Sequence, residues 1–126
     1  MYKKLLPLVL LSCIGSFAHA ECERPVTPEP MMAEGADVDA FLKKHAEIKA
    51  HNDVIMEYQA CVTAEQEKAA AEGELSEEQI ADFNARHDEP LIEFESVAAT
   101  HNEQVKIMLT SDAYKEYQAE QAAKAQ

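Results

Sequence analysis

Three cysteines and five histidines are the residues of this 126-residue chain whose types suit metal or redox chemistry. Cys13 and His19 fall within the first twenty residues, which leaves Cys22, Cys61, His45, His51, His87 and His101 in the body of the chain. Imidazole is the commonest nitrogen ligand for Zn²⁺ and Cu²⁺, and a neighbouring carboxylate such as Glu47 or Glu103 would complete a site. No two of these histidines stand three or four residues apart, the spacing that lets one helix face chelate. A histidine metal site must therefore be built between elements, and His45 with His101 is the candidate pair. Met31 and Met32 add soft donors in the leader. Catalysis has little to draw on. With three glycines in the chain there is no glycine-rich phosphate loop, and no nucleophile stands near an identifiable base. No catalytic residue and no cofactor are expected.

The cysteines are read through the N-terminus. Residues 1–20, MYKKLLPLVLLSCIGSFAHA, have the form of a secretory signal. Lys3 and Lys4 precede an apolar run from Leu5 to Ile14, and Ala18-His19-Ala20 is a small-x-small cleavage site. The apolar run is too short to span a bilayer, and nothing later is apolar enough to do so. Cleavage after Ala20 leaves Cys22 and Cys61, an even pair in an exported chain, which points to a disulfide. It also removes two lysines, so 9 basic residues face 24 acidic ones and the mature charge is 9 − 24 = −15. Such a charge disfavours nucleic acid and anionic membranes as partners and suits cations or a basic protein.

The elements that position these side chains follow in order. Residues 21–36 hold Pro25, Pro28 and Pro30, which forbid helix and favour extended backbone. A helix is expected from Asp37 or Asp39 to Gly73, with Val38, Phe41, Ile48, Ile55 and Val62 on its apolar stripe. His45, Asn52 and Gln59 complete that register, and Leu42, Tyr58 and Cys61 widen it. Cys61 lies 23 residues beyond Val38, about 35 Å along a helix. The leader can stretch to roughly 50 Å, so it can run back along the helix and reach Cys61. A second helix opens at Leu75-Ser76-Glu77-Glu78-Gln79-Ile80, a capping box with a hydrophobic staple. Its stripe is Ile80, Phe83, His87, Leu91, Phe94, Val97 or Ala98, His101, Val105 and Met108. Pro90 should kink or briefly break it around Arg86 to Pro90. Thr110, Ser111 or Asp112 offers a cap for a short tail helix.

A short turn near Gly73 makes the two long helices antiparallel. Folding the stripe there sets His45 near His101, Ile48 near Ala98, Ile55 near Leu91 and Gln59 near His87. Asn52, Asn84 and Asn102 sit on or beside the seams, either buried to fix register or at an exposed edge. Ala50-His51-Asn52-Asp53 is faintly echoed by Thr100-His101-Asn102-Glu103. The fold expected is all-α: an antiparallel hairpin over residues 37–109, a proline-rich strap over 21–36 tied by Cys22–Cys61, and a short helix or tail over 110–126. Two helices bury a thin core, so the strap and tail, or a second copy, must cover it.

Cys22-x-x-Pro25 after a signal peptide, the proline-rich leader, and a long helix carrying Asn52 and Glu57-Tyr58-Gln59-Ala60-Cys61 resemble small exported helical proteins of Gram-negative bacteria. The resemblance covers about two-thirds of the mature chain. It implies a disulfide-tied helical hairpin in the periplasm and no activity. Leu75 to Gln79, LSEEQ, also resembles the Leu-Thr-x-x-Gln signature of the Spy-type periplasmic chaperones, present once here rather than twice. The function expected is a non-enzymatic periplasmic interaction or structural role, with a homodimer or another envelope protein as partner. Metal binding through His45 and His101, and a Spy-like holdase, are the alternatives.

Overall fold

The structure, a computed structural model, describes residues 21–126; the signal-like segment and its cleavage site lie outside them. Three helices follow an extended leader: α1 (Val38–Glu72), α2 (Glu77–Thr110) and α3 (Asp112–Lys124). The fold is all-α. α1 and α2 pack along each other as an antiparallel pair, and α3 folds against the end where α1 begins and α2 finishes.

Each helix starts where a side chain can accept the free N–H groups of a first turn. Asp37 accepts from the Ala40 N–H at 2.9 Å and opens α1. Ser76 and Gln79 form a reciprocal capping box at α2, at 3.1 and 2.9 Å. Ser111 closes α2 and opens α3: its hydroxyl donates to the Met108 carbonyl and accepts from the Tyr114 N–H. Gly73 ends α1 in extended backbone (φ 171°), so this position does not use a left-handed cap. Gly35 does need its glycine. It takes φ 72° in the turn closed by Ala36 N–H to Ala33 carbonyl, which swings the leader into α1.

Pro90 does not break α2, which is helical from Glu77 to Thr110. The proline cannot donate to the Arg86 carbonyl. Its ring is among the most buried side chains of the molecule, and the neighbouring His87 carbonyl accepts the Gln59 side-chain amide at 3.0 Å. Core packing and this cross-helix bond offset the lost helix bond.

The core comes in two clusters. Phe94 of α2 packs with Ile48 and Ile55 of α1, flanked by Leu91 and Ala98. Nearer α3, Ala33 of the leader packs with Val38, Phe41 and Met108, flanked by Met31, Tyr114 and Tyr117. The stripe Val38, Phe41, Ile48, Ile55, Val62 is buried throughout. Its flank differs from expectation. Asn52 is exposed and His51 is buried in its place, while Tyr58 is buried as part of the widened stripe. On α2, Pro90 and Gln104 are buried, while Ile80 is 40% exposed.

The leader accounts for the buried Gln104. It lies along one side of the hairpin as a strap and covers the helix rows that face it. Cys22 is joined to Cys61 by a disulfide. The Cys22 N–H donates to Glu65 at 2.9 Å, and Arg24 forks to Glu89 and Glu93 on α2 at 3.0 and 2.7 Å. Ala33 donates its N–H to the buried Gln104 side chain at 3.0 Å. The strap thus bridges both helices from near their connection to their far end.

Two stability predictions follow from this frame. Cys22→Ser should cost about 4 kcal/mol by releasing a loop closed over 39 residues of separation. Urea unfolding of the oxidised protein measures it, and a loss below about 1 kcal/mol would mean the strap needs no covalent tie. Ser76→Ala should cost about 1 kcal/mol, since the hydroxyl satisfies the Gln79 N–H.

Candidate functional site

Two groups of chemistry-bearing side chains are brought together: a histidine seam inside the hairpin and a clasp where the strap meets α1.

The hairpin register brings His45 and His101 into contact, Nδ1 to Nε2 at 3.1 Å. The ring centroids are 5.3 Å apart with planes 24° from parallel. That spacing is close to the nitrogen contact plus the two ring radii, so the rings meet edge to edge rather than face to face. This is the geometry of one imidazole donating N–H to the other. A metal ion held in line between two ring nitrogens would set them about 4 Å apart.

His101 is 1% exposed and its other nitrogen, Nδ1, has no partner. The ring also packs near-parallel to Phe41 at 5.3 Å. His51 is built likewise. It is 8% exposed, lies against Phe94 at 4.9 Å, and its Nε2 is unpartnered. The sequence echo around His51 and His101 thus corresponds to two histidines of like environment on opposite helices. Both titrate below the ordinary histidine range. Burial is the main cause for each. His45 and then Lys44 add to it at His101, and Glu47 partly opposes it at His51. His87 stands apart, paired with Asp88 at 2.7 Å on a more exposed surface.

The clasp joins three elements at Glu65, one helical turn beyond Cys61. One carboxylate oxygen accepts the Cys22 N–H and the other accepts Arg86 of α2 at 2.6 Å. Those two donors hold the Glu65 carboxyl below the ordinary carboxylate range, the Cys22 N–H most strongly and the Arg86 guanidinium next. Cys61 is exposed, and an open groove of about 390 Å³ lies beside the disulfide, lined by the strap and by Val54, Glu57 and Tyr58. Among the described residues, Cys22, Cys61 and Glu65 form the group that brings three metal-type donor atoms within 4.8 Å of one another.

Sequence reasoning paired His45 with His101 and Cys22 with Cys61 and missed Glu65, Arg86 and Gln104. Glu65 carries a faint signal, four residues beyond Cys61 and so on the same helix face. Arg24 is the single basic residue of the leader. Gln104 has no signal, because its role depends on where the strap lies. Asn52, Asn84 and Asn102 are all exposed, at the seam edge rather than within it. The LSEEQ residues form the cap and entry of α2. No family model, no curated protein and no solved structure matches the chain.

The seam predicts an acid limit to stability. His51 and His101 have folded pKa values below their unfolded ones, so the unfolded chain binds protons more readily. Stability is then full above the unfolded histidine pKa, about 6.5, and declines as pH falls through it toward the depressed folded values. The urea midpoint should drop between pH 7.5 and pH 5. His101→Phe, which keeps a ring beside Phe41 without the buried nitrogens, should flatten the slope. An equal slope in the variant would remove His101 from the cause.

Proposed function

We propose that the protein is a non-enzymatic interaction module exported to the bacterial periplasm. The observation that carries this reading is a rigid scaffold presenting apolar side chains to solvent. Among the described residues Met56, Ile92, Ile107 and Leu109 are 59%, 64%, 50% and 49% exposed on the two long helices. A strap fixed by a disulfide and by hydrogen bonds to both helices holds that surface in one shape, which lowers the entropy lost on binding. Ile92 and Ile107 lie toward one side of α2, and apolar side chains gathered on one exposed side mark a contact site. The charge, −13 for the full chain and −15 once residues 1–20 are removed, favours a basic partner.

Export is supported by the signal-like first twenty residues and by the disulfide, which persists in oxidising compartments. No described helix is long and apolar enough to cross a membrane. The resemblance to small exported helical proteins of Gram-negative bacteria, and the coiled-coil-like seven-residue spacing of Phe41, Ile48, Ile55 and Val62, fit the same reading.

Ile92→Glu and Ile107→Glu change exposed positions and should leave stability within about 0.5 kcal/mol. If the reading holds, a tagged native protein recovered from the periplasmic fraction carries a stoichiometric partner or a second copy, and the double variant loses it. A monomer with no partner, or a partner retained equally by the variant, would overturn it. The same fraction should yield a chain beginning at Glu21 with no alkylatable thiol. Sedimentation equilibrium with and without Zn²⁺ separates this reading from metal binding at His45 and His101, since association that appears only with Zn²⁺ and is lost in His45→Ala would assign the function to the histidines. Suppression of a client's aggregation at equimolar protein would instead favour the holdase.

A further inference from the structure

We infer that the clasp at Cys22, Cys61 and Glu65 is a redox-gated metal site, closed by the disulfide and opened to a thiophilic divalent ion, Zn²⁺ or Cd²⁺, when the disulfide is reduced.

Three donor atoms from these residues already lie within 4.8 Å of one another. Cys61 and Glu65 stand four apart on α1, one turn along the same face, and Cys22 comes from the strap. The Cα atoms of the two cysteines are 5.9 Å apart. Thiolates bind Zn²⁺ at about 2.3 Å, and three protein donors with a water in the fourth place make a familiar open tetrahedral site.

Glu65 is prepared as a ligand. Its carboxylate lies within 4.8 Å of both sulfurs. The Cys22 N–H and Arg86 take one lone pair on each oxygen, and a carboxylate has about four such sites, so a lone pair remains on each. The carboxylate is also fixed in place by donors from two other elements.

The thiols would remain positioned after reduction, because the strap is held by more than sulfur. Arg24 bonds Glu89 and Glu93, Ala33 donates to Gln104, and Ala33 with Met31 packs into the core. Cys61 is exposed beside an open groove, so both reductant and ion have a path to the sulfurs.

Charge selects the ion. In the oxidised clasp the Glu65 carboxylate and the Arg86 guanidinium sum to zero. Reduction leaves two neutral thiols, and loss of both protons would bring the group to −2, an unfavourable accumulation in an acidic protein unless a cation replaces them. A divalent ion returns it to zero, and a monovalent one does not. The metal form is therefore the charge-equivalent replacement of the disulfide, with the ion taking over as the pin between strap and helix.

The chemistry balances in two steps. A dithiol reductant gives up two electrons and two protons to the Cys22–Cys61 bond, becoming a disulfide itself and leaving two thiols. The ion then displaces both thiol protons, so two protons are released for each ion bound.

The test uses the exported protein reduced with a phosphine, desalted under inert gas to remove the reductant, and titrated with Cd²⁺. The thiolate-to-metal absorption in the ultraviolet reads sulfur ligation only, so ions on histidine or surface carboxylates do not register. The expected result is one Cd²⁺ per chain, two protons released in a pH-stat, and no band in the oxidised protein. Cys61→Ser should abolish the band. Glu65→Ala should weaken affinity by tenfold or more, since even outer-shell partners cost about 10–100-fold. Glu65→Gln, which keeps an acceptor for the Cys22 N–H, guards against a folding defect, and circular dichroism confirms helicity in each variant. A reduced, helical protein that gives no thiolate band, binds one ion between two chains, or holds Cd²⁺ equally well in both Glu65 variants would overturn the site.

Discussion

The tie between Cys22 and Cys61 sits where the apolar core runs out. Val62 is the last buried residue of α1, and α2 buries nothing until Pro90. The intervening end of the hairpin, from Thr63 through the turn to Glu89, has no core of its own to hold the helices together. At that boundary the strap is bonded covalently to α1, and Glu65 links the strap's first N–H and Arg86 of α2. One covalent bond and one carboxylate thus join three elements at the point where burial stops doing so. The long helix–turn–helix end can then extend into solvent while the packed half remains in register.

The strap also decides what the interior looks like. Two helices alone bury a single stripe, and each flank of that stripe stays wet. Here one flank is covered. Tyr58, Pro90 and Gln104 are buried, and Gln104 is acceptable there because it accepts a backbone N–H from the strap itself. Arg24 supplies the remaining attachment through two carboxylates on a surface more than 40% exposed, a contact that salt weakens.

Much of this was legible in the residues. The seven-residue spacing of Phe41, Ile48, Ile55 and Val62, the Ser76 and Gln79 box, and the short turn near Gly73 together gave the all-α fold. They also set the register, which brought His45 to His101 and Gln59 to His87. These are local or periodic signals, and each depends on only one or two elements. The burial of Gln104 was not legible, because it depends on which side the strap takes, and nothing in a proline-rich leader encodes a side. Of the kink or break expected at Pro90, the break does not occur, for a related reason. Helix propensity prices the lost hydrogen bond, but not the buried ring or a glutamine reaching across from the other helix. Glu65 escaped notice because an acid among 24 acids carries no mark until a cysteine and an arginine are placed beside it.

The acid surface and the histidine interior act in opposite directions as pH falls. Protonating surface carboxylates relieves the self-repulsion of a chain at −13 and favours the compact state. Protonating the seam does the reverse. A proton on each of His45 and His101 sets two N–H groups against each other across 3.1 Å, and a cationic His101 places charge at a site 1% exposed. Surface repulsion is spread over many screened charges, whereas the seam concentrates its cost in buried rings that salt screens little. The interior term therefore sets the acid limit of the fold, and added salt should move it little. The strap's Arg24 contacts, on the exposed side of the same molecule, respond to salt instead. Tertiary packing and strap attachment are in this way answerable to different solution conditions, with the disulfide holding the second in place when its ionic part is weak.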